Sequence, residues 1–553
     1  MEKKRIHVTC LMLGAILGTQ GVPPITLALA AASGSETIES VDPKAVSFAN
    51  AARHWSFQPA REQPVPAVKN TDWPLSAVDA FVLAGLEQAG LLPSPPADKR
   101  TLIRRATYDL TGLPPAAAET DSFVRDDAPD AFARVVDGLL ASPRYGERWG
   151  RHWLDVARYA DTTGPRLGRI PFSYTYRDWV IRAFNEDLPY DEFLVKQLAA
   201  DKLPGAPDLA ALGFLTVGRT SNRDTIHDII DDWIDVVTRG TMGLTVSCAR
   251  CHDHKFDPVS TKDYYALYGV FRNSQARQDL PVIGGGPGND LDRRYEKEIK
   301  AQQEILRKYK QKRLAEITAD LRKPARIAAY LLAAGGFHRI APASGQVKGE
   351  DEEINPFVLL RWRTLLAKSA ERRDPYWQPW HALASLPPEQ ADAQAGTLAE
   401  RYARALAAAD SSTAHTDPQQ EALRHILRGP EAPPDVSVAD FAELQNANSD
   451  QVQIENWVML VNALGARHAD AGGQPRAMAV EDAPEMRAAY VFVRGNPSSL
   501  GEEVPRRFLA VLTGAQSGEK LMAFSQGSGR LELARKIASA DNPLTARVMV
   551  NRI

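Results

Sequence analysis

The chain has 553 residues, with 66 Lys and Arg against 69 Asp and Glu and a formal net charge of −3. Charges of both signs are interspersed, which leaves no basic stripe for nucleic acid and no polybasic segment for a membrane surface. Three cysteines cannot staple a protein of this size, so its stability must come from buried apolar area, and the chain is long enough for two or three cores.

The first residues, Met1-Glu-Lys3-Lys4-Arg5, precede an apolar run from Val8 to about Ala32, with small residues at Ala28, Ala30 and Ala32. A basic head, a hydrophobic middle and a small-residue exit predict a secretory signal peptide over residues 1–32. Thr19-Gln20 and Pro23-Pro24 interrupt the run before it reaches the roughly 20 apolar residues of a spanning helix, so no membrane span is expected after cleavage. The mature protein is expected outside the cytoplasm, secreted, periplasmic or at the cell envelope. Cys10 leaves with the signal, and Cys248 and Cys251 are then the only thiols. Residues 33–53 are small and polar and read as a flexible spacer.

From Ser76 the pattern turns helical. Val78, Phe81, Val82 and Leu86 recur at three- and four-residue steps, with Ser76 as N-cap and Gly90 past the end. Leu102, Ala106 and Leu110 mark a second helix closed by Gly112, and Phe132, Val135, Val136, Leu139 and Leu140 mark another closed by Pro143. The stretch from Glu147 to Asp161 is rich in aromatics and charge, with Trp149, Trp153, Val156 and Ala157 on one face. It reads either as a buried amphipathic helix with a salt-bridged rim or as the edge of a cofactor pocket, where Arg151 or Arg158 would meet a carboxylate. In the helix beginning at His227, Asp228, Asp231, Asp232 and Asp235 crowd one flank while Ile229, Ile230, Trp233, Val236 and Val237 cover the other. Four carboxylates this close call for solvent or cations.

Cys248-Ala-Arg-Cys251-His252 follows. Cys-x-x-Cys-His is the attachment motif of c-type haem, in which two thiols bind the haem edge and the next imidazole becomes the iron ligand. Two other readings stay open: a redox disulfide, or a zinc or iron site completed by His252 or His254. Gly240 and Gly243 permit a turn that brings the acidic helix back against the motif, where Asp231 or Asp232 could accept a ring N–H of His252 or His254.

The runs Trp153–Asp161, Asp231–Gly240, Gly243–Pro258 and Asp263–Phe271 resemble the planctomycete-type secreted cytochrome c domain, a family without an assigned reaction. The resemblance covers about residues 54–275. It implies that Cys248 and Cys251 form the thioethers to haem and that His252 is the axial ligand. Family members often carry a further amino-terminal Cys-x-x-Cys-His module, which this chain lacks.

Beyond Ser274, Gly284-Gly-Gly-Pro-Gly288 reads as a joint, and residues 289–475 as a helical, coiled-coil-like insert. Within it Tyr295, Ile299, Ile305, Leu306, Tyr309, Leu314, Ile317 and Leu321 recur at helical steps, bent near Pro324. Residues 476–553 resemble the start of the domain of unknown function that habitually follows the cytochrome-like one, with the strand-like Tyr490-Val-Phe-Val and an end inside a helix.

The fold class expected is mainly α: a multi-helical cytochrome-like domain, a helical insert and a small α+β start of a truncated C-terminal domain. The function expected is an exported protein carrying covalent haem c on Cys248, Cys251 and His252. It would pass electrons to a redox partner protein or another envelope component rather than act as an enzyme. The alternative is a secreted metal-dependent enzyme, with polysaccharide hydrolysis as one possibility, holding Zn, Fe or Ca on His252, His254, Asp231 and Asp232, with Asp257 nearby. His227 and Met242 are the candidates for a sixth haem ligand.

Overall fold

The computed structural model describes residues 53–552 apart from short segments at 163–171, 207, 219–225, 278, 285–289, 338–347, 350–351, 430–431, 442–443, 445–450, 470–473, 498 and 514–520. The expected signal peptide, Cys10 and nearly all of the expected spacer lie outside the described residues.

The architecture is mainly helical, with three two-stranded sheets among the described residues. Helix α1 (Ala77–Gln88) begins at a capping box between Ser76 and Asp79, and Gly90 follows it in the left-handed region at φ +70. Its apolar stripe is not where the spacing placed it. Ala80 and Leu83 are buried, whereas Val78, Phe81 and Val82 are exposed. Helices α2 (Lys99–Thr111), α3 (Ala117–Arg125) and α4 (Ala131–Leu140) close a small core of Ile103, Phe123 and Ala131.

Helix α5 (Pro143–Val156), with Pro143 at its first position and Ser142 as cap, packs directly on α6 (Ser173–Asn185). A side chain at Gly146 would collide with the Ile181 carbonyl, so glycine sets how closely the two backbones approach. Trp153 is buried on this interface, and its indole N–H donates to Gln197 Oε1 at 2.7 Å, which meets the requirement that a buried donor find an acceptor. Gln197 belongs to α7 (Tyr190–Ala199). Helices α8 (Ile226–Met242) and α9 (Thr261–Arg272) complete the main core, and Ile230, Trp233, Ile234, Val236 and Val237 of α8 are all buried.

Strand β1 (Ser274–Ala276) leads into a helical module. The 32-residue α10 (Asp290–Leu321) ends just before Pro324, which opens α11 (Pro324–Gly335). Tyr295, Ile299, Leu306, Leu314, Ile317 and Leu321 are buried as the periodicity predicts, whereas Ile305 is exposed. The two-residue strands β2 (Lys348–Gly349) and β3 (Glu352–Glu353) pair with each other. Helices α12 (Pro356–Glu371), α13 (Pro388–Ala409) and α14 (Pro418–Leu427) then form a second core around Trp362, Trp377 and Leu406, and α15 (Gln451–Ala469) lies along α10.

The chain then returns to the first core. Strand β4 (Val480–Asp482) pairs antiparallel with β1, Ser274 opposite Asp482. Strands β5 (Ala489–Phe492) and β6 (Leu500–Val504) form a hairpin with Ala489 opposite Val504 and Phe492 opposite Leu500. Helix α16 (Arg530–Ala538) packs on α7, and α17 (Thr545–Arg552) meets α8. Ala477, Phe508, Leu533 and Leu544 therefore share one core with Trp153 and Phe271. None of the described helices is long and apolar enough to cross a membrane.

Candidate functional site

Gly243, at φ +70, turns the chain out of α8 and back over it. The Ser247 hydroxyl then donates to the Asp231 carbonyl at 3.4 Å, and Arg250 lies 3.4 Å from the Asp228 carboxylate. Residues Val246–Arg250 form one short 3₁₀ turn, in which the Cys248 N–H donates to the Thr245 carbonyl at 3.1 Å. Cys248 thus sits inside the turn and Cys251 directly after it. Both thiols are exposed and are not bonded to each other in this structure.

His252 is exposed, and its Nδ1 lies 2.7 Å from the Asp253 carbonyl. A carbonyl can only accept, so Nδ1 carries a proton, and in the neutral ring the lone pair is then on Nε2. This is the tautomer that metal-bound histidines adopt when a backbone carbonyl orients the ring. His254 is used differently. Its Nδ1 accepts the backbone N–H groups of Asp257 at 2.8 Å and Phe256 at 3.2 Å, and its Nε2 lies 3.0 Å from Thr245 Oγ1. Both ring nitrogens are spent on closing the loop after the motif. His254 therefore staples the loop that carries His252.

The carboxylates expected beside the motif have other partners. Asp231 accepts the Tyr264 hydroxyl at 2.8 Å, and its carboxyl is pushed above the usual range, chiefly by burial, with the Tyr264 hydrogen bond and the Arg250 charge opposing. Asp232 forms an ion pair with Arg158, whose Nε lies 3.0 Å from Oδ1. Arg158 is thereby committed to the core, as Arg151 is to Asp155, and neither is left for a cofactor carboxylate. Asp257 lies 3.6 Å from His254. Among the described residues no three His, Cys, Asp or Glu side chains assemble into a group that could hold a metal ion. His252, His254, Asp231 and Asp232 are thus not brought together as a ligand set.

Neither candidate for a sixth ligand stands free. His227 Nδ1 is 2.7 Å from the Tyr268 hydroxyl, and the ring packs against Phe492 at 5.1 Å. Met242 is buried in the main core with its sulfur 3.5 Å from the Asn542 amide.

What the sequence reading missed is the cover over the motif. Tyr265 donates its hydroxyl to the Arg250 carbonyl at 2.9 Å, and Phe492 packs tilted against Tyr265 at 5.0 Å and edge-on against Tyr268 at 5.3 Å. The hairpin of β5 and β6 thereby crosses the turn. A side chain at Gly495, which has φ +74, would collide with Cys251 Sγ. Tyr264, Tyr265 and Tyr268 share one face and the next position of α9, a signal available in Asp263-Tyr-Tyr-Ala-Leu-Tyr, whereas nothing local ties Gly495 to a cysteine so far upstream.

Two unpaired thiols one turn apart, followed by an imidazole with a free Nε2, form a donor set that fits covalent haem with one protein ligand to iron. The family model PSCyt2, described as a protein of unknown function (DUF1549), matches residues 77–276, a span that contains the whole motif and ends with β1. No curated protein matches the chain, and no solved structure does.

Proposed function

We propose that this is an exported c-type haem protein that transfers electrons at the cell envelope, with Cys248 and Cys251 as the attachment thiols and His252 as the axial ligand through Nε2. The observation that carries the reading is the His252 tautomer, with Nδ1 held by the Asp253 carbonyl at 2.7 Å and Nε2 left as a donor beside two exposed free thiols. Haem, once bound, supplies a one-electron couple whose potential depends on axial ligation and on the polarity around it. The chain's own contribution is to hold the ligand still. Thr245, Tyr265 and His254 fix the backbone on either side of His252, so the imidazole is presented without further ordering. The Phe492–Tyr265–Tyr268 cluster lowers the polarity on the side where the hairpin crosses. Engagement of both Met242 and His227 favours a haem with a single protein ligand.

The test is expression with its signal in a host that matures c-type cytochromes. Haem staining on a denaturing gel and a Soret band should mark the wild type, and C248A/C251A should lose the stain while keeping its helical circular dichroism. H252A should keep the covalent stain but show a shifted Soret band. A wild type that is exported and folded yet carries no haem would overturn the proposal.

A further inference from the structure

Helix α1 is apolar nearly all round. Its 12 residues carry two charges, Asp79 and Glu87, and the fold uses both. Asp79 closes the capping box, accepting the Ser76 N–H at 2.9 Å and the Leu75 N–H at 3.0 Å. Glu87 accepts the Lys69 and Asn70 N–H groups at 2.9 and 3.2 Å and so ties down the extended segment before the helix. A helix apolar on every side belongs in an interior. Yet Val78, Phe81, Val82, Gly85 and Ala89 are exposed, and no described helix or strand packs along them. Val78, Val82, Gly85 and the C-cap Ala89 follow one another at steps of four, three and four, the spacing with which one helix seats against another. Leu75 and Leu92 carry that spacing past the two ends and stand exposed, with exposed Leu91 next to Leu92.

Charge and shape select the occupant of this face. A lipid surface is a poor match, because helices that lie on membranes set Lys and Arg along their polar edge, and both charges of α1 are acidic. A second copy of the chain matches better. When two copies of α1 run antiparallel about a two-fold axis at the level of Leu83 and Ala84, Val82 of each falls opposite Gly85 of the other, and Val78 opposite Ala89, so each bulky side chain meets a small one. Gly85 is an open notch, since a side chain built there would meet nothing within 4 Å. Asp79 falls opposite Gln88, so no like charges are set against each other. The area is of the right size as well. At about 100 Å² of apolar surface for each fully exposed large side chain, Leu75, Val78, Phe81, Val82, Leu91 and Leu92, which are 46–95% exposed, offer roughly 400 Å² per copy. A specific interface buries about 800 Å² per partner, a little over half of it apolar, so this face supplies most of what one needs.

We propose that α1 is a homodimerisation helix, which pairs with α1 of a second copy in this antiparallel register. The proposal is independent of the haem reading. Sedimentation velocity of the full chain over a wide range of concentration is expected to show a reversible monomer–dimer equilibrium. V82E places a carboxylate in each half of the seam and should raise the dissociation constant at least tenfold. G85L is the sharper variant. It enters open space in a single chain and replaces glycine by a better helix former, so the monomer folds at least as well. In the dimer it fills the notch that Val82 of the second copy occupies, and it should weaken association at least fivefold. A lipid-binding or unspecific apolar face would instead grow stickier with the added leucine. Both positions are exposed in one chain, so both variants should keep the circular dichroism of the wild type. A chain that stays monomeric throughout, a dimer indifferent to V82E, a G85L dimer as tight as the wild type, or a monomer that co-sediments with phosphatidylcholine vesicles through this face would each overturn the proposal.

Discussion

Two places in this molecule bring distant segments together, and they do so by opposite means. Where α16 meets α7, Arg530 is only 1% exposed, and it reaches Asp201 at 2.8 and 2.7 Å, Asp482 at 2.9 Å and the Leu198 carbonyl at 3.1 Å. At the Cys-x-x-Cys-His turn the anchoring bonds are a tyrosine hydroxyl, a threonine hydroxyl and backbone N–H groups, and the three side chains they support stand exposed. The first region is a charged knot in which both Nη groups of Arg530 are engaged for the sake of the fold. The second spends neutral hydrogen bonds on the backbone and leaves its reactive atoms unspent. Side chains with free valences beside a well-anchored backbone mark a site, whereas a dense ion-pair cluster marks a joint.

The comparison breaks most visibly at the knot. R530M should destabilise the protein by about 3–5 kcal/mol, the range seen when one partner of a buried ion pair is removed and the other charge is left behind. Chemical denaturation with matched slopes would measure it, and a loss under 1 kcal/mol would mean that the C-terminal segment is held by apolar packing alone. The same knot has a pH signature. Burial raises the Asp482 carboxyl, but the Ser528 hydroxyl, Lys202 and Arg530 outweigh it and bring it down to about 2. Since the folded value lies below the ordinary 3.8, this stability is fully present above about pH 4 and is lost as pH falls through 2. D482N should flatten that part of the acid unfolding curve.

An intermediate effect is expected at the motif. H254A removes the acceptor of two backbone N–H groups, which should cost about 1–3 kcal/mol. Hydrogen exchange should locate the loss at Phe256 and Asp257 and leave α8 as protected as before. If instead the whole main core loses protection, the staple is part of the global fold and the contrast between joint and site is weaker than drawn.

How far the sequence foretold these two regions follows from how local each signal is. Caps and helix ends are written within a few residues, so Ser76, Gly112 and Pro324 mark real boundaries, and the apolar steps from Tyr295 to Leu321 mark a real face. The helical class and the motif turn were legible for the same reason. Which face of α1 would be buried was not, because Val78, Phe81 and Val82 are buried only if a partner surface covers them, and none of the described segments does. The carboxylates of α8 were misplaced for a related reason. The residues that claim them, Tyr264 and Arg158, lie 33 and 74 positions away, and a helical wheel contains no information about either. The hairpin glycine on Cys251 was beyond reach altogether.

The smallest expected effect is also the one that separates the two carboxylates. Asp232 holds a guanidinium in a half-buried pair, so D232N should cost about 1–3 kcal/mol by weakening a charge-assisted bond. Asp231 faces a neutral hydroxyl, and its carboxyl is raised chiefly by burial, so its proton is bound more tightly in the folded chain than in the unfolded one. Its contribution to stability is therefore fully present below the ordinary 3.8 and is lost as pH rises through the higher folded value. At neutral pH the charged form is a burden, and an amide oxygen at the same position can still accept from Tyr264 without carrying charge. D231N should accordingly match or slightly exceed the wild type in thermal stability at pH 7, within about 0.5 kcal/mol, with the difference vanishing near pH 3. A clear drop in melting temperature at pH 7 would mean that the Asp231 charge supports the turn that carries Cys248, and that the motif is held electrostatically after all.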